Sequence, residues 1–188
     1  MTVTIVVLVA ALTVVTVAAW LLPRVLAPQV WAFATFALLV ALGLLGVLAG
    51  PADDLTGLLA RSVLVDLFLV AVLGGGPITA TVLWLVDRGS TRPDTLDRAG
   101  EVLRGGAWIG VFERCAVFAT LASGWPEGLA VVLALKGLGR YSELKAGAPS
   151  GGDAALPTGG VAERFIIGTF ASVLWACACA GTFLAVAR

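Results

Sequence analysis

Residues 3–22 read VTIVVLVAALTVVTVAAWLL, twenty residues without a charged side chain, and they end just before Pro23 and Arg24. A helix of that length is about 30 Å long, which matches the hydrocarbon core of a bilayer. Residues 30–48 form a second such stretch, which ends before Gly50. Both stretches predict transmembrane helices. The first lacks the basic n-region of a cleavable signal, so we expect it to be retained as a span.

The whole composition agrees with these two stretches. The chain has 188 residues, of which 60% are hydrophobic and only 13% charged, and its mean hydropathy is +1.03. A water-soluble fold could not cover that much apolar surface. The sequence therefore predicts an all-α integral membrane bundle that forms a single domain with about six spans. The other four predicted spans are residues 60–86, 107–123, 127–140 and 164–186.

Several classes of function lose support from the composition. The formal net charge is zero, so we expect no nucleic-acid partner. Histidine is absent, which removes the commonest metal ligand and general base, and we expect no cofactor and no metal. The three cysteines, Cys115, Cys177 and Cys179, lie in apolar stretches and are interpreted as packing residues.

The orientation follows from the basic residues. Arginines and lysines concentrate on the side of Arg24 and of residues 87–105 and 141–160, which the positive-inside rule makes cytoplasmic loops. Both termini are then outside, in a membrane of the bacterial inner-membrane type. The bilayer is the expected surroundings, and a membrane-protein partner or a homo-oligomer stays open.

The third predicted span contains the run Gly74-Gly75-Gly76-Pro77. No lysine follows the glycines as in a phosphate-binding loop, so the run predicts a kink or a break in the helix. The alternative is a discontinuous helix whose backbone lines a substrate cavity, as in transporters.

Charged residues inside the last three spans are the most informative feature of the sequence. An ionisable side chain in hydrocarbon costs roughly 3 kcal/mol, so each needs a partner or a function. Glu113 and Lys136 each lie about eleven residues from the hairpin turn at Gly124 and Trp125. They therefore occupy equal depths in an antiparallel pair of helices, and we predict that they contact each other.

A polar cluster is expected around this pair. Arg114 follows Glu113, and Arg140 shares a helix face with Lys136, which points it towards Glu163 at the start of the last span. Two interpretations stay open. The pairs fix the register of the helices, or they form a site for an ion, a proton or an anionic headgroup.

Asp66 is a separate candidate in the outer part of the third span. Arg61 lies five residues earlier, which is a poor spacing for a pair on one helix face. Asp66 is interpreted either as a ligand for a cation or a proton, or as the buried partner of a hydroxyl group or an arginine such as Arg114.

Small residues four apart occur in three places and favour close helix packing within the bundle over a dimer contact. The pairs are Gly46 with Gly50, Gly106 with Gly110, and Gly168 with Ser172.

Three short blocks in the second half resemble a known family. They are GAWIGVFER at 106–114, ALKGLGRY at 134–141 and AERFIIGT at 162–169, and they are similar to the C-terminal half of a bacterial membrane family known as domain of unknown function 3307. The resemblance covers about residues 105–180. Members of that family begin with a segment that bears histidine and aspartate, from which this chain departs. The family has no established activity, so the resemblance implies only that the in-membrane charges form one constellation: Glu113, Arg114, Lys136, Arg140 and Glu163.

Three classes of function remain. A structural, assembly or regulatory membrane protein needs only a stable bundle. A small transporter or ion-conducting protein would use the in-membrane charges and the interrupted third span. A membrane-embedded enzyme acting at the cytoplasmic interface has the least support, because no nucleophile with a neighbouring base is evident. Closed charge pairs favour the first class, and charges facing a hydrated cavity favour the second.

Overall fold

The computed structural model describes residues 1–22, 26–50, 52, 55, 57–88, 106–146 and 158–187. The side chains of residues 106–107, 139–146 and 158–163 lie outside that description. Six α-helices account for nearly all of the described residues. They are α1 (Thr2–Leu21), α2 (Pro28–Ala49), α3 (Gly57–Asp87), α4 (Gly106–Ala122), α5 (Gly128–Ala146) and α6 (Thr158–Ala187).

The predicted all-α membrane bundle is confirmed. α1, α2, α3 and residues Arg164–Ala187 of α6 are long and apolar enough to cross a membrane. Their outward faces are apolar as well: Val3, Leu48 and Leu58 are 77%, 83% and 82% exposed. Exposed surface of this kind is stable only in contact with lipid tails, so the chain is a membrane protein.

The remaining two helices are shorter. α4 has 17 residues, and the apolar part of α5 is Gly128–Leu138. Full membrane spans for these two helices therefore stay a prediction. The turn between them has the predicted position, with Gly124 at φ 79° and the N–H of Trp125 donating to the carbonyl of Thr120 at 2.8 Å.

Two segments differ from the predicted boundaries. α3 continues through Pro77 without a break, so the discontinuous helix is not the structure adopted here. α5 continues to Ala146 and α6 begins at Thr158, so both ends of the predicted 141–160 loop are helical. Residues 141–146 contain Glu, Leu, Lys and Ala, which favour helix once the chain has left the bilayer. The other predicted loop, 87–105, lies almost entirely outside the described residues.

α3 and α6 form the centre of the bundle and make the most extensive contact in it. They are antiparallel, because Val70 of α3 meets Trp175 of α6 while Asp87 meets Arg164. α1, α2 and α4 pack around this pair, and α5 packs mainly on α4. We refer to the end with Asp87 and Arg164 as the charged end. The core between the helices is apolar and includes Leu12, Leu42, Leu67, Val70, Trp175, Cys179 and Phe183.

Gly46 shows how closely the helices approach. A Cβ atom on Gly46 would lie 2.8 Å from Val186 Cγ1 and 3.0 Å from the backbone of Ala185, so α2 rests directly on α6. The small residue therefore packs the bundle internally, as predicted. Nearby, the N–H of Ala52 donates to the carbonyl of Val186 at 3.2 Å, which holds the α2–α3 connection against the end of α6.

We predict that Gly46→Ala destabilises the protein by about 1–3 kcal/mol, because the new methyl group must displace backbone rather than a flexible side chain. The free energy of unfolding in mixed micelles measures this. Gly181→Ala is the matched control, because a Cβ there meets nothing within 4 Å. Equal stability of the two variants would show that α2 and α6 are not in contact at Gly46.

Candidate functional site

Three carbonyl groups in one stretch of α3 accept hydrogen bonds from three other helices. Trp175 Nε1 of α6 donates to Val70 O at 3.1 Å. Arg114 Nε of α4 donates to Val72 O at 3.0 Å, and Trp20 Nε1 of α1 donates to Leu73 O at 3.0 Å. The backbone just before Gly74 is therefore the point at which α1, α4 and α6 are all attached to α3.

Pro77 explains one of these bonds. In an α-helix the carbonyl of Leu73 would accept from the N–H of residue 77, and proline has none. A carbonyl without a partner is costly in a bilayer because no water replaces the missing donor. The indole of Trp20 supplies the donor that Pro77 cannot.

The three glycines before Pro77 explain the close approach of the donors. A Cβ on Gly74 would lie 3.0 Å from the Trp175 ring, and one on Gly75 would lie 2.3 Å from Arg114 Cδ. At Gly76 the nearest side chain is that of Trp20, at 3.6 Å. The glycine run is thus a docking surface for one side chain from each neighbouring helix, and its role here is packing.

The predicted contact between Glu113 and Lys136 is present. Lys136 Nζ donates to Glu113 Oε2, which joins α4 to α5 by an ion pair. The two side chains are 11% and 16% exposed, so the pair is mostly enclosed. Lys136 Nζ also lies 5.5 Å from the centre of the Phe165 ring of α6, a cation–π contact that brings a third helix to the pair.

A second ion pair was not predicted from the sequence. Arg164 Nη2 of α6 donates to Asp87 Oδ1 at the end of α3, at 2.7 Å. The next residue, Arg88, stacks on Trp84 with its guanidinium carbon 4.2 Å from the ring centre. Equal depth is the signal that could have found the pair, because Asp87 ends one predicted span and Arg164 begins another.

Arg114 does not pair with Asp66, which the sequence allowed. It is only 7% exposed, and its two hydrogen bonds go to Val72 O and to Ser172 Oγ of α6, the second at 3.0 Å. Asp66 is partly buried in α3 and makes no hydrogen bond or ion pair with any residue that the structure describes. The sequence analysis thus placed Asp66 correctly in a span but named the wrong possible partner.

The remaining two members of the predicted constellation lie outside the described side chains. Arg140 is in α5 and Glu163 is in α6, but only their backbone is described. Their predicted contact stays a prediction.

Cavities give little further information about chemistry. One shallow groove runs along α1 and another lies between α3 and α4, and apolar residues line most of both. None of the charged residues above lines either groove. Within the described part of the chain, no group of three or more His, Cys, Asp or Glu residues could hold a metal ion.

Comparison with known proteins finds no matching family model, no matching curated protein and no matching solved structure. The resemblance of residues 105–180 to the family named above therefore stays a prediction, and the geometry of the site is the basis for assigning a function.

We predict that Trp20→Phe lowers the free energy of unfolding by about 1–2 kcal/mol, because Leu73 O loses its only side-chain donor. In a Pro77→Ala background the same change should cost clearly less, since the N–H of residue 77 can then donate to Leu73 O. Chemical denaturation in mixed micelles of the four proteins measures the coupling.

The matched control is Trp31→Phe, which removes an indole N–H that is buried and has no hydrogen-bond partner. It makes the same change in side-chain volume without loss of a hydrogen bond. If Trp20→Phe costs the same with and without Pro77, the indole does not replace the missing backbone donor.

Proposed function

We propose that this chain is a multi-pass protein of the bacterial inner-membrane type with a structural, assembly or regulatory role. The observation that supports this most is the closure of its in-membrane charges. Glu113 is paired with Lys136, and Arg114 is bound to Val72 O and Ser172 Oγ. A transport site would instead present such groups to a hydrated cavity.

The connections between the helices support the same proposal. A transporter alternates between two arrangements of its helices around a substrate site. Here α3 and α6 are joined at Val70, at Ser172 through Arg114, and at Asp87. Moving one against the other would break all three connections at once.

Transport remains the second candidate because of Asp66. A carboxylate inside an apolar span without a partner among the described residues is costly unless it binds a cation or a proton, or pairs with another protein. The proposed role includes a membrane-protein partner, and Asp66 is the side chain on which such a partner would act.

We predict that Glu113→Gln and Lys136→Met each destabilise the protein, on the order of 3 kcal/mol, because each leaves one charge buried and unpaired. The double variant should recover most of this loss. Thermal melts of the three variants and the wild type in detergent measure the cycle, and the same proteins are reconstituted into vesicles for proton and potassium flux.

For a structural role we expect the recovery in the double variant and the same flux as in empty vesicles. The proposal fails if all variants stay folded while a flux carried by the wild type is lost in Glu113→Gln. In that case the pair is a working site and the transport function takes precedence.

The proposed orientation places the charged end in the cytoplasm and both termini outside, and it is tested separately. In a variant with Cys115, Cys177 and Cys179 changed to alanine, Glu127→Cys in the α4–α5 turn should react with a membrane-impermeant maleimide added to intact cells. Arg88→Cys at the charged end should react only after the cells are opened. The reverse pattern would invert the orientation.

A further inference from the structure

The guanidinium of Arg114 has unused donors. Nε and Nη1 donate to Val72 O and Ser172 Oγ, while Nη2 has no hydrogen-bond partner among the described residues. Both acceptors are neutral, and no described carboxylate forms an ion pair with Arg114. A cation that is 7% exposed within a bilayer protein therefore lacks a counter-charge.

A layer of small residues lies directly beneath this guanidinium. Gly110, Thr79 and Gly168 are each one helical turn from the three residues around the arginine, which are Arg114 itself, Gly75 and Ser172. In every case the turn is towards the charged end, because α3 runs towards that end while α4 and α6 run away from it. We call Gly110, Thr79 and Gly168 the lower layer.

Contacts support this placement. A Cβ on Gly110 would lie 3.1 Å from Arg114 Nη1 and 3.9 Å from Nη2, so the guanidinium extends over the lower layer. A Cβ on Gly168 would lie 3.6 Å from Thr79 Cγ2, so α3 and α6 are neighbours at this level. Two glycines and one threonine provide little side-chain volume beneath a planar cation.

Thr79 adds an independent sign of a missing ligand. Its Oγ1 atom is buried and has no hydrogen-bond partner, not even the backbone of its own helix. Buried hydroxyl groups in native proteins are almost always hydrogen-bonded. A hydroxyl donor and guanidinium donors on the same side of one layer form a set that an oxyanion would satisfy.

The depth of the lower layer matches the position of lipid phosphates. α1 ends at Leu21, and Trp20 in its last turn contacts Leu73 O of α3. Thr79 is six residues further along α3, about 9 Å towards the charged end. The layer therefore lies where α1 leaves the hydrocarbon, next to the headgroup region.

The local charge also favours an anion. The described ionisable side chains of the charged half of the bundle comprise four cations and two carboxylates. They are Arg88, Arg114, Lys136 and Arg164 against Asp87 and Glu113.

We propose that the lower layer binds one phosphate-type oxyanion, with Arg114 Nη2 and Thr79 Oγ1 as donors. The source is either the phosphodiester of a lipid headgroup or free phosphate, since both present the same oxygens. The site goes beyond the proposed structural role and does not depend on it.

The test uses Thr79→Val in the full-length protein, because the substitution keeps the shape of the side chain and removes only the hydroxyl group. Arg114 is left unchanged, since it also holds α4 to α3 and α6. Thr81→Val is the matched control, because Thr81 is buried on the opposite face of α3. Thermal melts are recorded in dodecyl maltoside with inorganic phosphate at constant ionic strength, with phosphatidylglycerol, or with a phosphate-free galactolipid.

We expect phosphatidylglycerol, inorganic phosphate or both to raise the Tm of the wild type and of Thr81→Val, while the galactolipid does not. The apparent affinity of Thr79→Val should be about tenfold weaker, because one hydrogen bond to a charged group is lost. A response to phosphatidylglycerol alone assigns the site to a lipid headgroup, and a response to inorganic phosphate assigns it to the free anion.

Two results would overturn the proposal. One is an absence of any phosphate-dependent shift in the wild type. The other is an equal shift in the wild type and in Thr79→Val, which would mean that the anion binds elsewhere.

Discussion

The backbone of α3 between Val70 and Leu73 is the constraint on which the bundle depends. In lipid every carbonyl needs a donor from the protein, and Pro77 removes the backbone donor of Leu73. The side chain of Trp20 supplies a replacement, and the neighbouring carbonyls accept from Arg114 and Trp175. The position and rotation of α1, α4 and α6 are therefore fixed relative to one short stretch of α3.

This attachment also explains why α4 is short. Arg114 is held at the level of Gly75, and Phe118 meets Phe68 edge to face at 5.7 Å. The end of α4 is then level with Leu64, seven residues after the start of α3, or about 10 Å along it. The α4–α5 hairpin is thus displaced towards the charged end, and α4 does not need the length of a complete span.

Helix content and the Glu113–Lys136 pair were predictable because each depends on one periodic quantity. Hydropathy over about twenty residues gives the helices, and equal distance from the turn gives the depth of the pair. The bonds to Val70, Val72 and Leu73 depend on how each helix is rotated about its axis, and the uniformly apolar spans carry no signal for that. Pro77 identifies the orphan carbonyl of Leu73 but not its donor.

The same geometry limits which part of the bundle can move. Separating α3 from α6 requires the Trp175–Val70 bond, the Arg114–Ser172 bond and the Arg164–Asp87 pair to break together. α5 packs mainly on α4, and its described polar connections are the Glu113 pair and the Phe165 contact, both through Lys136. A rearrangement that opened only this side would break one ion pair. Because Glu113 is next to Arg114, that opening would also give the unpaired cation a neighbouring carboxylate, so the state of the α4–α5 pair and the occupancy of the lower layer are physically coupled.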